Sequence, residues 1–225
     1  MKTLFLAFLA LIGSLCLSAA PHAADVASQA ATAAAVERMK RDVPRFQEWN
    51  VNELSLPQTL TAHLAPLTAV ELSPKETSRV TMFVVAANAA KPQTWRPSND
   101  ADLAAIVDKS SLKRIFNHAD PTTFAQALAS LRCAPEEAKL INAAADIPDQ
   151  QGEVGQPIKA DVRARLGNII QKWSVTTENG ETKLKFFFLS GLGGGVYEMN
   201  VHFRAHNAPT TLQTVFHGYA YFTTR

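Results

Sequence analysis

Val36, Met39, Val43 and Phe46 recur at spacings of three and four along the stretch that starts at Asp25. This is the apolar stripe of a helix, which Pro44 should end or kink. From Asn50 to Pro66 prolines and leucines follow one another without a clear period, which predicts irregular chain or short helical turns. Two β-rich runs around Pro74 and Lys75 then predict a hairpin near 68–87. From Ser98 to Ala145 the signals turn helical. Ser98 stands before Asp100 and Asp102 as a cap, with acidic charge at the positive end of the helix dipole. Asp120 and Pro121 repeat that logic ahead of Phe124, Leu128 and Leu131. A third short helix is expected from Pro135, with Glu136 and Glu137 in its first turn and Leu140 and Ile141 facing inward. The proline- and glycine-rich stretch IPDQQGEVGQP closes this helical part.

Beyond Pro157 the pattern becomes ambiguous. In IKADVRARLGNIIQKW, Val162, Leu166, Ile169 and Trp173 fit a helix, yet Ile158, Ala160, Val162, Ala164 and Leu166 also alternate with charged residues. Two turns favour strands. Asn179 and Gly180 between VTTE and ETKLKFFF form the strongest short signal for a two-residue hairpin, which sets Val175 against Leu184, Trp173 against Phe186 and Gln171 against Phe188. The same arithmetic at Gly167 and Asn168 sets Leu166 against Ile169 and Val162 against Trp173, extending one apolar face. A helix would have to carry that glycine in its middle at a cost of about 1 kcal/mol. In the last two runs Tyr197, Met199, Val201 and Phe203 point one way, where Leu212, Thr214, Phe216, Ala220 and Phe222 join them. Glu198, Asn200, His202 and Arg204 share the opposite face with Gln213, His217, Tyr219 and Tyr221. The expected class is α+β, with a mostly helical part at 25–157 packed on an antiparallel meander of four or five strands at 158–225. The two parts are expected to form one domain.

Composition adds export. Residues 1–24 read as a secretory signal peptide, with Lys2, an apolar run from Leu4 to Leu17 and cleavage near Ala23 or Ala24. That run is too short to span a bilayer, and no transmembrane segment is expected after its removal. The protein is expected in the periplasm or secreted. Cys133 would then be the one remaining cysteine, without an internal disulfide and most simply a buried packing residue.

Charge is segregated. Residues 158–225 carry eight Lys and Arg against four Asp and Glu, whereas 25–157 carry thirteen against sixteen. On the strand pattern Lys159, Arg163, Arg165, Lys172, Lys183, Lys185 and Arg204 gather on the outer sheet face, beside Glu198, His202, His217 and Tyr219. Such a face suits a protein partner or an anionic envelope component, and export argues against nucleic acid. His202 and His206 have helical zinc spacing, but along a strand they stand about 13 Å apart and cannot share an ion. LSGLGGGVY lacks the lysine and the following helix of a phosphate loop. No cofactor or metal is expected, and no catalytic signature surrounds any nucleophile. The sequence therefore suggests an exported non-catalytic binding protein, of inhibitor or immunity type, acting through a polar, basic sheet face. Two readings compete: a small envelope hydrolase or transferase using the Glu/His/Tyr group, and a carrier for an anionic lipid or sugar.

Overall fold

The computed structural model describes residues 23–86, 91–150, 157–191, 194–204 and 208–221. Most of the expected leader, the middle of the glycine cluster, His206 and Phe222 lie outside the described residues. The chain is an α+β fold whose described residues form five α-helices and two antiparallel sheets. Among the described residues no helix is long and apolar enough to cross a membrane.

Sheet A is built first. Its strands β1 (Trp49–Asn52), β2 (Thr68–Pro74), β3 (Thr81–Ala86) and β4 (Gln93–Trp95) lie in sequence order, with β2 and β3 as the antiparallel pair near 68–87. Helix α1 (Ala23–Asp42) stops before Pro44 and covers one face: Ala31, Ala35 and Met39 bury against Val70, Leu72, Phe83 and Val85. Alanines carry much of this stripe, because close approach to a sheet favours small side chains on the helix. The other face presents Ala69, Met82, Val84 and Trp95 to the middle of the molecule.

Three helices fill that middle: α2 (Gln58–His63), α3 (Asp100–Lys109) and α4 (Thr122–Cys133). Asn99 caps α3, its Oδ1 accepting the Asp102 N–H at 3.1 Å, so the cap lies one residue beyond the expected Ser98. Before α4, Asp120 Oδ1 accepts the backbone N–H and the hydroxyl of Thr122, which together hold its carboxyl below the usual range. Leu103, Ile106, Phe124, Leu128 and Leu131 then join one buried cluster with the inner faces of both sheets.

Sheet B comprises β5 (Ala138–Ile141), β6 (Ser174–Glu178), β7 (Glu181–Ser190), β8 (Gly195–Phe203) and β9 (Thr211–Tyr219). The Asn179–Gly180 turn is present, both residues at positive φ, and Val175 pairs with Leu184 as the turn dictates. Leu184, Phe186, Phe188, Met199, Val201 and Phe203 all reach the central core.

Two sequence expectations are corrected. The stretch from Pro135 is no third helix: after a turn, β5 pairs with β7 and sets Leu140, not Gln171, against Phe188. Acidic residues after a proline imitate a helix start, but β7 offered an open ladder. The second correction concerns 158–173, which holds helix α5 (Ala160–Gly167) and no strand. Gly167 and Asn168 end this helix instead of joining two strands, and only Leu166 of its side chains is fully buried. The helix wins because a hydrophobic patch on the outside of sheet B needs a lid. Leu166 and Ile170 bury there with Phe187, Leu189, Val196, Ala220 and Tyr221.

Edge strand β9 is guarded by α3. Asp100 accepts the Thr214 N–H at 2.8 Å and its hydroxyl at 2.7 Å; Asp108 accepts the same pair from Thr210 at 2.8 and 2.6 Å. Two aspartates eight residues apart on the helix thus satisfy two amides, one just before β9 and one within it, that would otherwise invite another chain.

Candidate functional site

The outer face of sheet B is divided in two. Side chains alternate across the ladder, so Lys183, Lys185, Phe187 and Leu189 of β7 share it with His202, Asn200, Glu198 and Val196 of β8. The Phe187, Leu189 and Val196 end is sealed under α5. Arg163 holds this seal in place, donating to the carbonyls of Ala144 at 2.9 Å and Ile147 at 3.1 Å and to Asp149 Oδ1 at 2.8 Å. Arg165 donates to the His217 carbonyl at 2.9 Å and lies over Gly218. Both residues, placed on the sheet face by the strand pattern, sit instead on the covering helix and fasten it. Lys159 precedes that helix in exposed chain, and Lys172 follows it, its ammonium 5.3 Å from the Trp173 ring centroid.

Among the described residues nothing covers the opposite half. Lys183, Lys185, Asn200, His202 and Gln213 border a shallow depression of about 480 Å³. Lys183 is exposed and, among the described residues, has no acidic partner; the same holds for Arg204 at the end of β8. His202 Nε2 lies 2.8 Å from Glu181 Oε2, which ties it to the hairpin end.

Between the halves runs an ionic row. Glu198 meets Lys185 Nζ at 3.2 Å, Asn200 Nδ2 at 2.9 Å and His217 Nε2 at 3.3 Å. Burial alone would push its carboxyl up, but hydrogen bonds from Asn200, Lys185 and His217 outweigh burial and hold it below the usual range. Lys185 also lies over the Phe187 ring. A carboxylate so fully engaged is a crosslink of β7, β8 and β9. Glu198 and His217 do come together, but His202 belongs to a different pair, and neither Glu198 nor His217 borders the depression.

Tyr219 goes elsewhere. Tyr197 pairs with Phe216 while Val196 pairs with Gly218, which leaves His217 as the extra residue of a bulge. One inserted residue switches every later side chain to the other face. Tyr219 therefore joins the inner face beside Phe216, at 5.0 Å between ring centroids, while Ala220 and Tyr221 bury on the outer one. Gly218, at φ +113°, makes this shift possible. Only a histidine-glycine pair inside β9 hinted at it in the sequence.

Of the remaining candidates, Cys133 is mostly buried at the end of α4; burial, aided by Glu136, pushes its thiol up to about 12. Trp95 is a packing anchor, 8% exposed in the central core. Among the described residues no group of three or more His, Cys, Asp or Glu is arranged to hold a metal ion. Compared with protein-family models, curated proteins and solved structures, the chain matches none.

Proposed function

We propose that this chain is an exported, non-catalytic binding protein that engages an acidic protein partner through the uncovered half of the outer face of sheet B. The observation that carries this reading is the division of that face: α5 seals its apolar half, while no described residue covers the half bearing Lys183, His202 and Gln213. Sheets with one solvated face are common, so the polarity alone says little. The basic side chains say more, since Lys183 and Arg204 form no ion pair among the described residues and would steer an acidic surface toward the sheet. The apolar start of the chain supports export. The engaged state of Glu198 and His217 argues for binding over hydrolysis, because a general base needs a free lone pair facing a substrate.

The test is retention of partners from an envelope extract on immobilised wild type and on the Lys183→Glu, Arg204→Glu double variant. Both side chains are exposed and form no ion pair among the described residues, so the fold should survive, as circular dichroism would report. The expected outcome is a partner held by wild type and weakened about tenfold or more by the two reversals. Equal retention by both proteins would remove the face from consideration.

A further inference from the structure

On the inner side of sheet B, where the bulge delivers Tyr219, lies a cleft that the sheet-face reading does not use. It opens between the start of β3, the Arg96–Ser98 link, the turn after α4 and the ends of β7 and β8, and encloses about 620 Å³. That volume suits a small organic molecule. One wall is aromatic. Phe188 and Tyr197 stack at 5.3 Å with 13° between their planes, Tyr197 leads to Phe216 at 5.1 Å, and Phe216 to Tyr219. Gly195 lets the Tyr197 ring lie along the sheet, since a Cβ there would meet it at 2.8 Å. Phe216, 47% exposed beside Tyr197, lies outside the lining of the cleft itself.

Facing this wall are Arg79, Arg96 and Arg132 and a single acid, Glu136, whose Oε2 already accepts the Ser190 hydroxyl at 2.7 Å. Arg132 donates through Nη1 to the Ser98 carbonyl and through Nε to Thr214 Oγ1, and its Nε also lies 3.6 Å from Asp100 Oδ1; none of its described contacts uses Nη2. The Arg79 side chain is exposed and, among the described residues, has no partner at all. Arg96 meets Asp42 at 3.7 Å, while its buried Nε finds no acceptor. Arg132 and Arg96 thus have carboxylates nearby, but Arg132 Nη2 and the Arg79 guanidinium, which has no carboxylate partner among the described residues, remain as donors beside a π surface.

We propose that this cleft binds a small organic anion, its carboxylate or phosphate held by Arg79 and Arg132 and its planar apolar body laid on Tyr197. Guanidinium forks match both anions in geometry, and aromatic faces favour flat partners. A bare anion would leave the wall unused; a neutral ring would leave the arginines unused.

The experiment titrates the full chain with phenyl phosphate, benzoate, inorganic phosphate and benzyl alcohol, following backbone amides by NMR. Phenyl phosphate or benzoate should saturate, with shifts concentrated at Ser98, Cys133, Ser190 and Tyr197, and whichever binds more tightly identifies phosphate or carboxylate as the preferred head. Inorganic phosphate and benzyl alcohol should each bind at least about tenfold more weakly. Arg79→Gln should weaken the aromatic anions about tenfold, whereas Lys159→Gln, in the exposed chain ahead of α5, should leave their affinity unchanged. The proposal is overturned by shifts lying elsewhere, by inorganic phosphate binding as tightly as phenyl phosphate, by equal loss in both variants, or by no saturation.

Discussion

Cys133 offers a test in which the magnitude comes directly from its surroundings. Its thiol is pushed from 9.0 to about 12, first by burial and then by the Glu136 carboxylate. At pH 8 such a thiol carries about one thousandth of the thiolate found on the same residue in the unfolded chain. The more basic thiolate is also the better nucleophile, with a Brønsted slope of about 0.4–0.5, which returns a factor of about 16 to 32. Alkylation of the native protein should therefore be slower by about 30- to 60-fold, before any steric obstruction is added. Iodoacetamide labelling can be quenched at intervals, and the tryptic peptide from Cys133 to Lys139 followed by mass spectrometry, in buffer and in concentrated urea. Steric obstruction is separable from the raised thiol by its pH dependence. The native rate should climb log-linearly with pH through about 10, with circular dichroism confirming that the fold persists. A plateau near pH 9, or a native rate within about threefold of the unfolded one, would refute the reasoning. The sign of the linked stability follows. Because the folded thiol holds its proton more tightly, its contribution is complete below 9.0 and is lost as pH rises towards 12.

Two further perturbations probe sheet B. Asp100→Ala removes the acceptor of both the Thr214 N–H and its hydroxyl and should cost about 1–3 kcal/mol in urea unfolding. In hydrogen exchange the Thr214 amide should lose protection while Thr210, held by Asp108, keeps it. Glu198→Gln should destabilise at neutral pH by about 0.5–1.5 kcal/mol, since its partially exposed pairs are screened. Its carboxyl is held below 4.5, so the charged form's contribution is present above that value and is lost as pH falls through the folded value. The difference between variant and wild type should thus close in acid, and a gap that persists at about pH 2 would show that shape, not charge, is at stake.

Where structure was legible in the sequence, local chemistry permitted one answer. Asn179 and Gly180 accept positive φ at little cost, so the turn and the pairing of Val175 with Leu184 followed from them, while alternation alone placed Met199, Val201 and Phe203 of β8 on one face. The chain from Ile158 to Leu166 was misread because alternation and helical period coincide over so few residues; the burial of Leu166 against Phe187 and Val196, distant in sequence, decides between them. Strand β5 was missed for the same reason, since its partner lies about fifty residues on. β1 and β4 are short edge strands with no period to display. The candidate site suffered most. Losing the strand at 158–166 took Arg163 and Arg165 off the face, and the bulge at His217 took Tyr219 to the other side. Conversely, Arg79, Arg132 and Phe188 meet only through tertiary packing, and nothing in their spacing announces the cleft.

Helix α3 stands with one flank toward β4 and the other along β9, so the same ten residues serve both sheets. Severing the chain near 157 would hand this helix to the first fragment and leave Thr210 and Thr214 on the second without their carboxylates. Neither half would inherit a complete interior. Each would carry a greasy wound shaped for the other, and reassembly of the pair in the test tube would be the natural escape from aggregation.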